Sequence, residues 1–274
     1  MESDALPYVL FLLLIELAFG GSMVMTAVDL RGQVTRGFVR ATTVMLPILY
    51  GLALWLSLTL QGEAVEGYRL DTGPREAVPV LLGIMTALSV AQNGCWFAER
   101  VRSGRAAGMA LSLLGVAALI VVAIMLRLPA WSVALVFVSL LVGSLVLGLA
   151  VVGLCLGHWY LVTPRLPARP LNEVTLAFLL LIALQGAVVA WALLAPVHET
   201  PVGGRDVALR DNPAFWLRVG VGLVFPVIVG GMAWSSSRMR SMMSATGLLY
   251  LVTGAVLAGE ILARALLFDS GRAI

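Results

Sequence analysis

Charged residues lie within long apolar runs of this sequence. Glu16 lies in the run from Tyr8 to Met25, and Glu260 and Arg264 both lie in the last apolar run. Ionisable groups are rare in segments that cross lipid because they are costly there, so each needs a partner or a function. A protonatable carboxyl at such a position can exchange protons with a ligand or with a channel, which is the chemistry that these residues suggest.

The spacing of these residues predicts that they share one depth. At a helical rise of about 1.5 Å per residue, Glu16 and Glu260 lie roughly 13 Å and 12 Å from the same end of the bundle, and Arg218 roughly 8 Å. Arg264 follows Glu260 by one helical turn, so the two side chains can pair. Glu16 has no such partner in its own run and needs one across the bundle, or a bound proton. A purely structural ion pair between Glu260 and Arg264, or an arginine that reaches towards the lipid headgroups, remains open.

The composition indicates which elements must position these charges. The chain of 274 residues is 60% hydrophobic and 12% charged, whereas soluble domains are about 25% charged. A helix needs about 20 mainly apolar residues to cross a bilayer. The pattern therefore predicts an all-α polytopic membrane protein, a single membrane domain over 1–274. The predicted spans, about eight in number, are 7–29, 40–61, 77–98, 107–127, 131–157, 172–196, 213–235 and 243–268.

The arginines predict an orientation. They concentrate in the short loops that follow the first, third, fifth and seventh spans, and such loops face the cytoplasm. Both termini then lie on the non-cytoplasmic side of a bacterial inner membrane. The largest loops, 62–76 and 197–212, lie on that outer side, where a partner protein can dock, although solvated connectors fit equally. Residues 127–130 contain Pro129 and predict a tight turn.

Histidine and tyrosine close the fifth predicted span in the run Gly157–Tyr160. His158 and Tyr160 are candidates for a point where protons enter from the cytoplasm, although tyrosine is also ordinary in the aromatic belt. A haem held by two histidines needs both at matching depth, and His158 and His198 are predicted on opposite faces. The sequence therefore predicts no haem.

The cysteines give no sign of a metal site. Cys95 and Cys155 lie far apart in apolar runs, without metal-ligand spacing, so we expect no iron–sulfur cluster and no other metal in this chain. The arginines at helix ends are explained by membrane topology, and they therefore do not indicate a nucleic-acid partner. The expected surroundings of most of the surface are membrane lipid.

Three segments carry a family resemblance. The last span reads Gly-Glu-x-x-x-Arg over 259–264 and continues to Phe268, the first span contains the glycine-rich Phe19–Ser22, and the seventh contains Trp216–Arg218 followed by Pro226. In these segments the chain resembles the NrfD-like membrane anchors, which include the anchor subunits of dimethyl sulfoxide reductase and polysulfide reductase. The length and the predicted spans are also similar to those of the small anchors.

The resemblance implies a function for the charged residues. Such anchors bind menaquinol or ubiquinol near the outer face, carry no redox cofactor themselves, and dock partner subunits with iron–sulfur clusters or haem. Glu16 would then accept a proton or bind the quinone headgroup, and Glu260, Arg264 and Arg218 would form the other side of the site. The chain would be a non-catalytic subunit of a quinol-linked oxidoreductase. A proton- or cation-coupled transporter and a cofactor-free scaffold subunit are the alternatives.

Overall fold

A computed structural model shows a helical bundle. It describes residues 5–60, 64–65, 68–71, 73–126, 132–194, 209–270, 272 and 274. Within these ranges, 8 helical segments are long and apolar enough to cross a membrane, and the predicted all-α, multi-pass architecture is thereby confirmed.

In chain order the elements are α1 (Leu6–Leu30), α2 (Arg36–Thr43), α3 (Met45–Thr59), β1 (Ala64–Val65), β2 (Tyr68–Arg69), α4 (Ala77–Phe97), α5 (Val101–Met125), α6 (Val133–Val162), α7 (Arg169–Leu194), a short 3₁₀ turn (Leu209–Asp211), α8 (Pro213–Val219), a π-helix (Gly220–Val224), α9 (Phe225–Arg238) and α10 (Met242–Ser270). The helices α2 and α3 together form the second span, and α8, the π-helix and α9 together form the seventh.

Helix ends extend beyond several predicted boundaries. The second span begins at Arg36 instead of 40, since the Thr35 side chain accepts a hydrogen bond from the Phe38 amide and caps the helix. The fifth continues to Val162 instead of stopping at 157. Hydropathy marks the limits of the apolar stretch, whereas helical hydrogen bonding continues into the polar interface. The turn predicted at 127–130 lies outside the described residues.

The most enclosed helices are α1 and α6, which pack against each other. The apolar windows of both are 72% buried inside the protein, compared with 22% for the span formed by α2 and α3. Helix α10 packs against α6, α9 and α1, and its window is 61% buried. Polar side chains on α1, α6 and α10 can therefore be shielded from lipid by other helices.

The first turn of α1 and the last turn of α10 lie at one end of the bundle, which we call the terminal end. Helix α1 begins and α10 finishes there, where the rings of Tyr8 and Phe268 lie 6.0 Å apart. The two-residue strands β1 and β2 pair antiparallel in the connection between α3 and α4. The amide of Asp71 in that connection donates to the carbonyl oxygen of Met125 at 3.0 Å. We call the opposite end, with the arginine-containing loops, the arginine-rich end.

Candidate functional site

The interior of the bundle contains a cluster of charged side chains, which we call the ionic cluster: Glu16, Arg218, Glu260 and Arg264. Each has a relative exposure of 0–1%. They come from α1, α8 and α10, whose packing brings the ends of the sequence together. The cluster contains equal numbers of carboxylates and guanidinium groups, so its charges balance when all are ionised.

Arg264 lies at the centre of the ionic cluster. Its Nη2 lies 2.8 Å from Glu16 Oε1, and its Nε donates to Glu16 Oε2 at 3.0 Å. The same Nη2 donates to Glu260 Oε2 at 3.1 Å, which is the contact that the one-turn spacing predicts. Glu16 therefore has the partner across the bundle that its position requires. Arg264 links the first helix of the chain to the last.

Glu260 is held from several directions. Arg218 Nη2 lies 3.1 Å from Glu260 Oε1, and Gln185 Nε2 donates to the same oxygen at 2.5 Å. Its other oxygen accepts from Arg264. Removing one partner from a buried ion pair leaves an uncompensated charge, which is far more costly than the pair itself. The four side chains therefore depend on one another.

Helix α6 covers the ionic cluster with a serine and a glycine. Ser139 Oγ accepts a hydrogen bond from Arg264 Nη1 at 3.1 Å. A Cβ atom on Gly143 would lie 2.8 Å from both Arg264 Nη2 and Glu260 Oε2, and 2.9 Å from Glu16 Oε1. The charges consequently occupy the space that a side chain at position 143 would fill. A glycine there is what lets α6 close over them.

Arg218 reaches the ionic cluster from an irregular span. The π-helix Gly220–Val224 follows α8 directly, and Pro226 lies in the first turn of α9 beyond it. Proline has no amide hydrogen to donate to the preceding turn. Short π-helical segments inside α-helical spans are common at functional sites. A Cβ atom on Gly259 would lie 2.4 Å from the Cα atom of Gly222, so the π-helix and α10 meet backbone to backbone.

The histidine and tyrosine proposed as a proton entrance lie far from the ionic cluster. Along α6, Tyr160 is roughly 30 Å from Ser139 at the helical rise per residue. Its hydroxyl donates to the carbonyl oxygen of Pro167 at 2.5 Å, and His158 is exposed. The structure thus brings Glu16, Arg218, Glu260 and Arg264 together and leaves these residues at the arginine-rich end. His198 lies outside the described residues.

Some members of the site were not predicted from the sequence. Gln185 is visible in the sequence as a polar residue within a span, where a hydrogen bond between helices is its usual role. Its specific partner, Glu260, depends on the packing of α7 against the other helices. Ser139 and Gly143 lie in an almost uniformly apolar helix, and nothing in their own spacing marks them.

A separate cleft opens at the terminal end. Tyr8 lines this cleft and lies about two helical turns from Glu16 along α1. The cleft is therefore separate from the ionic cluster, whose side chains are buried. The residues that line it are Tyr8, Phe11, Ser57, Leu60, Leu70, Asp71, Arg75, Val78 and Met125. In the described ranges, no group of three or more His, Cys, Asp and Glu side chains could hold a metal ion.

No protein-family model matches the chain, and no curated protein matches it. The resemblance to the NrfD-like anchors therefore stays a prediction from three segments of the sequence. The geometry of the ionic cluster is the basis on which a function can be argued.

Proposed function

We propose that this protein is a quinone-interacting membrane subunit of a respiratory oxidoreductase. It binds quinol or quinone beside the ionic cluster and exchanges electrons with a partner redox subunit docked at the terminal end. The observation that carries this proposal is the complete burial of two glutamates and two arginines in contact with one another. Intramembrane ionisable groups are rare, and those that occur mark substrate or ion pathways, proton relays and counter-ions of ligands.

The chemistry of quinol oxidation suits such a cluster. A quinol gives up protons and electrons together, and a nearby carboxylate can accept a proton as the electrons pass to the cofactor of the partner subunit. Glu260 contacts both arginines and Gln185. Among the described residues Glu16 contacts one arginine, Arg264, whose Nη2 lies 2.8 Å from Glu16 Oε1 and whose Nε donates to Glu16 Oε2. Glu16 is therefore the proposed proton acceptor, and Glu260 the fixed counter-charge.

A purely structural role is the alternative with a specific observation in its favour. Every charged group of the ionic cluster has an oppositely charged neighbour within 3.1 Å, as a packing device would require. In that case, substitutions change the amount of assembled protein and leave quinone chemistry unaltered. The two roles therefore differ in what a conservative substitution does to activity per assembled complex.

The test replaces Glu16 with glutamine in the intact complex in native membranes. Gln keeps the shape and can still accept hydrogen bonds from Arg264, but it cannot take up a proton. We expect quinol-dependent electron transfer per assembled complex to fall about a hundredfold, since a positioned acid or base contributes that order of rate. Glu173→Gln, at the arginine-rich end, is the control and should retain activity. Full activity of Glu16→Gln with normal assembly would exclude Glu16 as the proton acceptor.

The proposal places the terminal end on the outer side of a bacterial inner membrane. In a background with Cys95→Ala and Cys155→Ala, a cysteine introduced at Ser270 should react with a membrane-impermeant thiol reagent added to intact spheroplasts. A cysteine at Ser103, in the arginine-rich end, should react only after the membrane is opened. The reverse pattern would show that the docking face is cytoplasmic and that the proposed orientation is wrong.

A further inference from the structure

The two arginines of the ionic cluster differ in how completely they are hydrogen bonded. Each guanidinium nitrogen of Arg264 has a partner: Nε donates to Glu16, Nη1 to Ser139 and Nη2 to Glu260. A buried guanidinium satisfied in this way is fixed in position and has no donor nitrogen left without a partner. Arg264 therefore serves to hold α1, α6 and α10 together.

Arg218 is equally buried but incompletely bonded. Its Nη2 contacts Glu260, whereas its Nε and Nη1 have no hydrogen-bond partner among the residues that the structure describes. Only 1% of its side chain is exposed. Leaving buried N–H donors without a partner is costly, and persistent cases in a folded protein call for a functional explanation.

An unused acceptor lies next to these unused donors. Gln185 Nε2 and Arg218 Nη2 both contact the same atom, Glu260 Oε1, at 2.5 Å and 3.1 Å. The other end of the Gln185 amide, Oε1, is buried and has no partner in the described part of the chain. Spare donors and a spare acceptor thus flank one carboxylate oxygen.

We infer that Arg218 and Gln185 bind the ring oxygen of a quinone, an inference that rests on the proposed function. A quinone carbonyl only accepts hydrogen bonds, so it is matched by the spare N–H groups of Arg218. A quinol hydroxyl also donates, and Gln185 Oε1 is the acceptor for it. The same pair of side chains can therefore hold one ring oxygen in both oxidation states, while Glu260 fixes their positions.

The path to this site crosses the irregular seventh span. Since Arg218 and Gln185 are both buried, a ring reaches them only when the helices around them part. The π-helix after Arg218 and the glycine contact between Gly222 and Gly259 lie at that point. Because neither glycine has a side chain, the backbones of the π-helix and α10 meet directly there, and separating α8 from α10 parts Arg218 from Glu260. The apolar ring would enter from the lipid.

The test measures quinone affinity of the full-length protein in nanodiscs, with decylubiquinone and a short-chain menaquinone as probes. Arg218→Lys keeps a positive charge for Glu260 but removes the Nε–H and the guanidinium fork, and Gln185→Met removes the amide at similar volume. We expect each to weaken binding about tenfold, the order expected for one lost hydrogen bond to a charged or buried group. Gln92→Met is the matched control, since Gln92 is also buried with an unpartnered Oε1 but lies outside the ionic cluster.

The outcomes separate this inference from the proposed function. If the wild-type protein binds a quinone and Arg218→Lys and Gln185→Met bind it as tightly, the inference is wrong while the proposed function stands. If the wild type binds neither probe, the proposed function itself fails. Should the variants not fold, an azido-quinone photolabel on the wild type decides. Labelling within 180–190 or 213–224 supports the inference, and labelling confined to other segments overturns it.

Discussion

The same residue types occur in two very different settings in this protein. The ionic cluster lies inside the bundle, whereas a second set, which we call the rim pairs, lies at the arginine-rich end. The rim pairs are Asp29–Arg105, Glu99–Arg40, Glu173–Arg31 and Glu173–Arg169. In each rim pair at least one side chain is more than a quarter exposed, while the side chains of the ionic cluster are 0–1% exposed.

Exposure to solvent decides how much the ion pairs of each set contribute to the stability of the protein. Exposed ion pairs are worth about 0–1 kcal/mol because water and salt screen them. Breaking a buried pair by removing one partner costs about 3–5 kcal/mol, because the remaining charge is left in a low dielectric. Membrane topology accounts for arginines at the rim, but it does not account for charges in the interior. The comparison therefore singles out the ionic cluster as the part of the molecule whose chemistry needs an explanation.

The largest expected effect comes from removing the central arginine. Arg264→Leu leaves Glu16 with no arginine contact in the described structure and deprives Glu260 of one of its two. We expect the free energy of unfolding to fall by about 3–5 kcal/mol, measured by reversible denaturation in mixed micelles. Arg40→Leu, at the rim, should cost less than about 1 kcal/mol, since its partner Glu99 is 68% exposed. An equal loss of unfolding free energy in the two variants would show that the ionic cluster and the rim pairs do not differ in stability.

A methyl group at Gly143, the glycine of α6 that faces the ionic cluster, should have the next largest effect on stability. Gly143→Ala places a Cβ atom within 2.9 Å of both carboxylates and of Arg264. We expect destabilisation of about 1–3 kcal/mol, as for other overpacked interiors. Gly254→Ala on α10, where a Cβ atom would meet nothing within 4 Å, should be neutral or stabilising by up to about 1 kcal/mol. Tolerance of Gly143→Ala would show that α6 does not close tightly over the charges.

The smallest effect is expected within the rim. A double-mutant cycle that removes Glu99 and Arg40 singly and together should give a coupling energy of about 0.2–1 kcal/mol. Because these side chains are partly exposed, the coupling should shrink at about 1 M salt. The coupling between Glu16 and Arg264 should be larger and insensitive to salt. A salt-sensitive coupling in the ionic cluster would mean that water and ions reach it.

Much of the architecture could be predicted because lipid imposes simple rules. Spans follow from apolar length, and the shared depth of Glu16 and Glu260 follows from the rise per residue. The contact of Glu260 with Arg264 follows from one helical turn. The choice of Arg264 as the partner of Glu16 could not be predicted, because it depends on how α1 packs against α10. The depth of each residue in the membrane limits which charged side chains can pair with Glu16, but the packing of the helices determines which of them does.

Glycines show the same division between local and tertiary information. Gly20 is part of a visible glycine pair, and a Cβ atom there would lie 1.7 Å from the carbonyl oxygen of Ser144, so α1 and α6 pack closely at this pair. Gly143 has no distinguishing sequence signal, because α6 is apolar on all sides. Its role is set by side chains from two other helices. Pro226 is visible in the sequence, but the π-helix that precedes it became visible in the structure alone.

The central claim is that a buried carboxyl of the ionic cluster takes up a proton when quinol is oxidised. Infrared difference spectroscopy of the reconstituted complex, recorded on quinol oxidation in H₂O and in D₂O, tests it most directly. The account predicts a band of a newly protonated, isotope-sensitive carboxylic acid that is present in the wild type and in Glu173→Gln and lost in Glu16→Gln. The same band undiminished in Glu16→Gln, or no such band in the wild type, would contradict it.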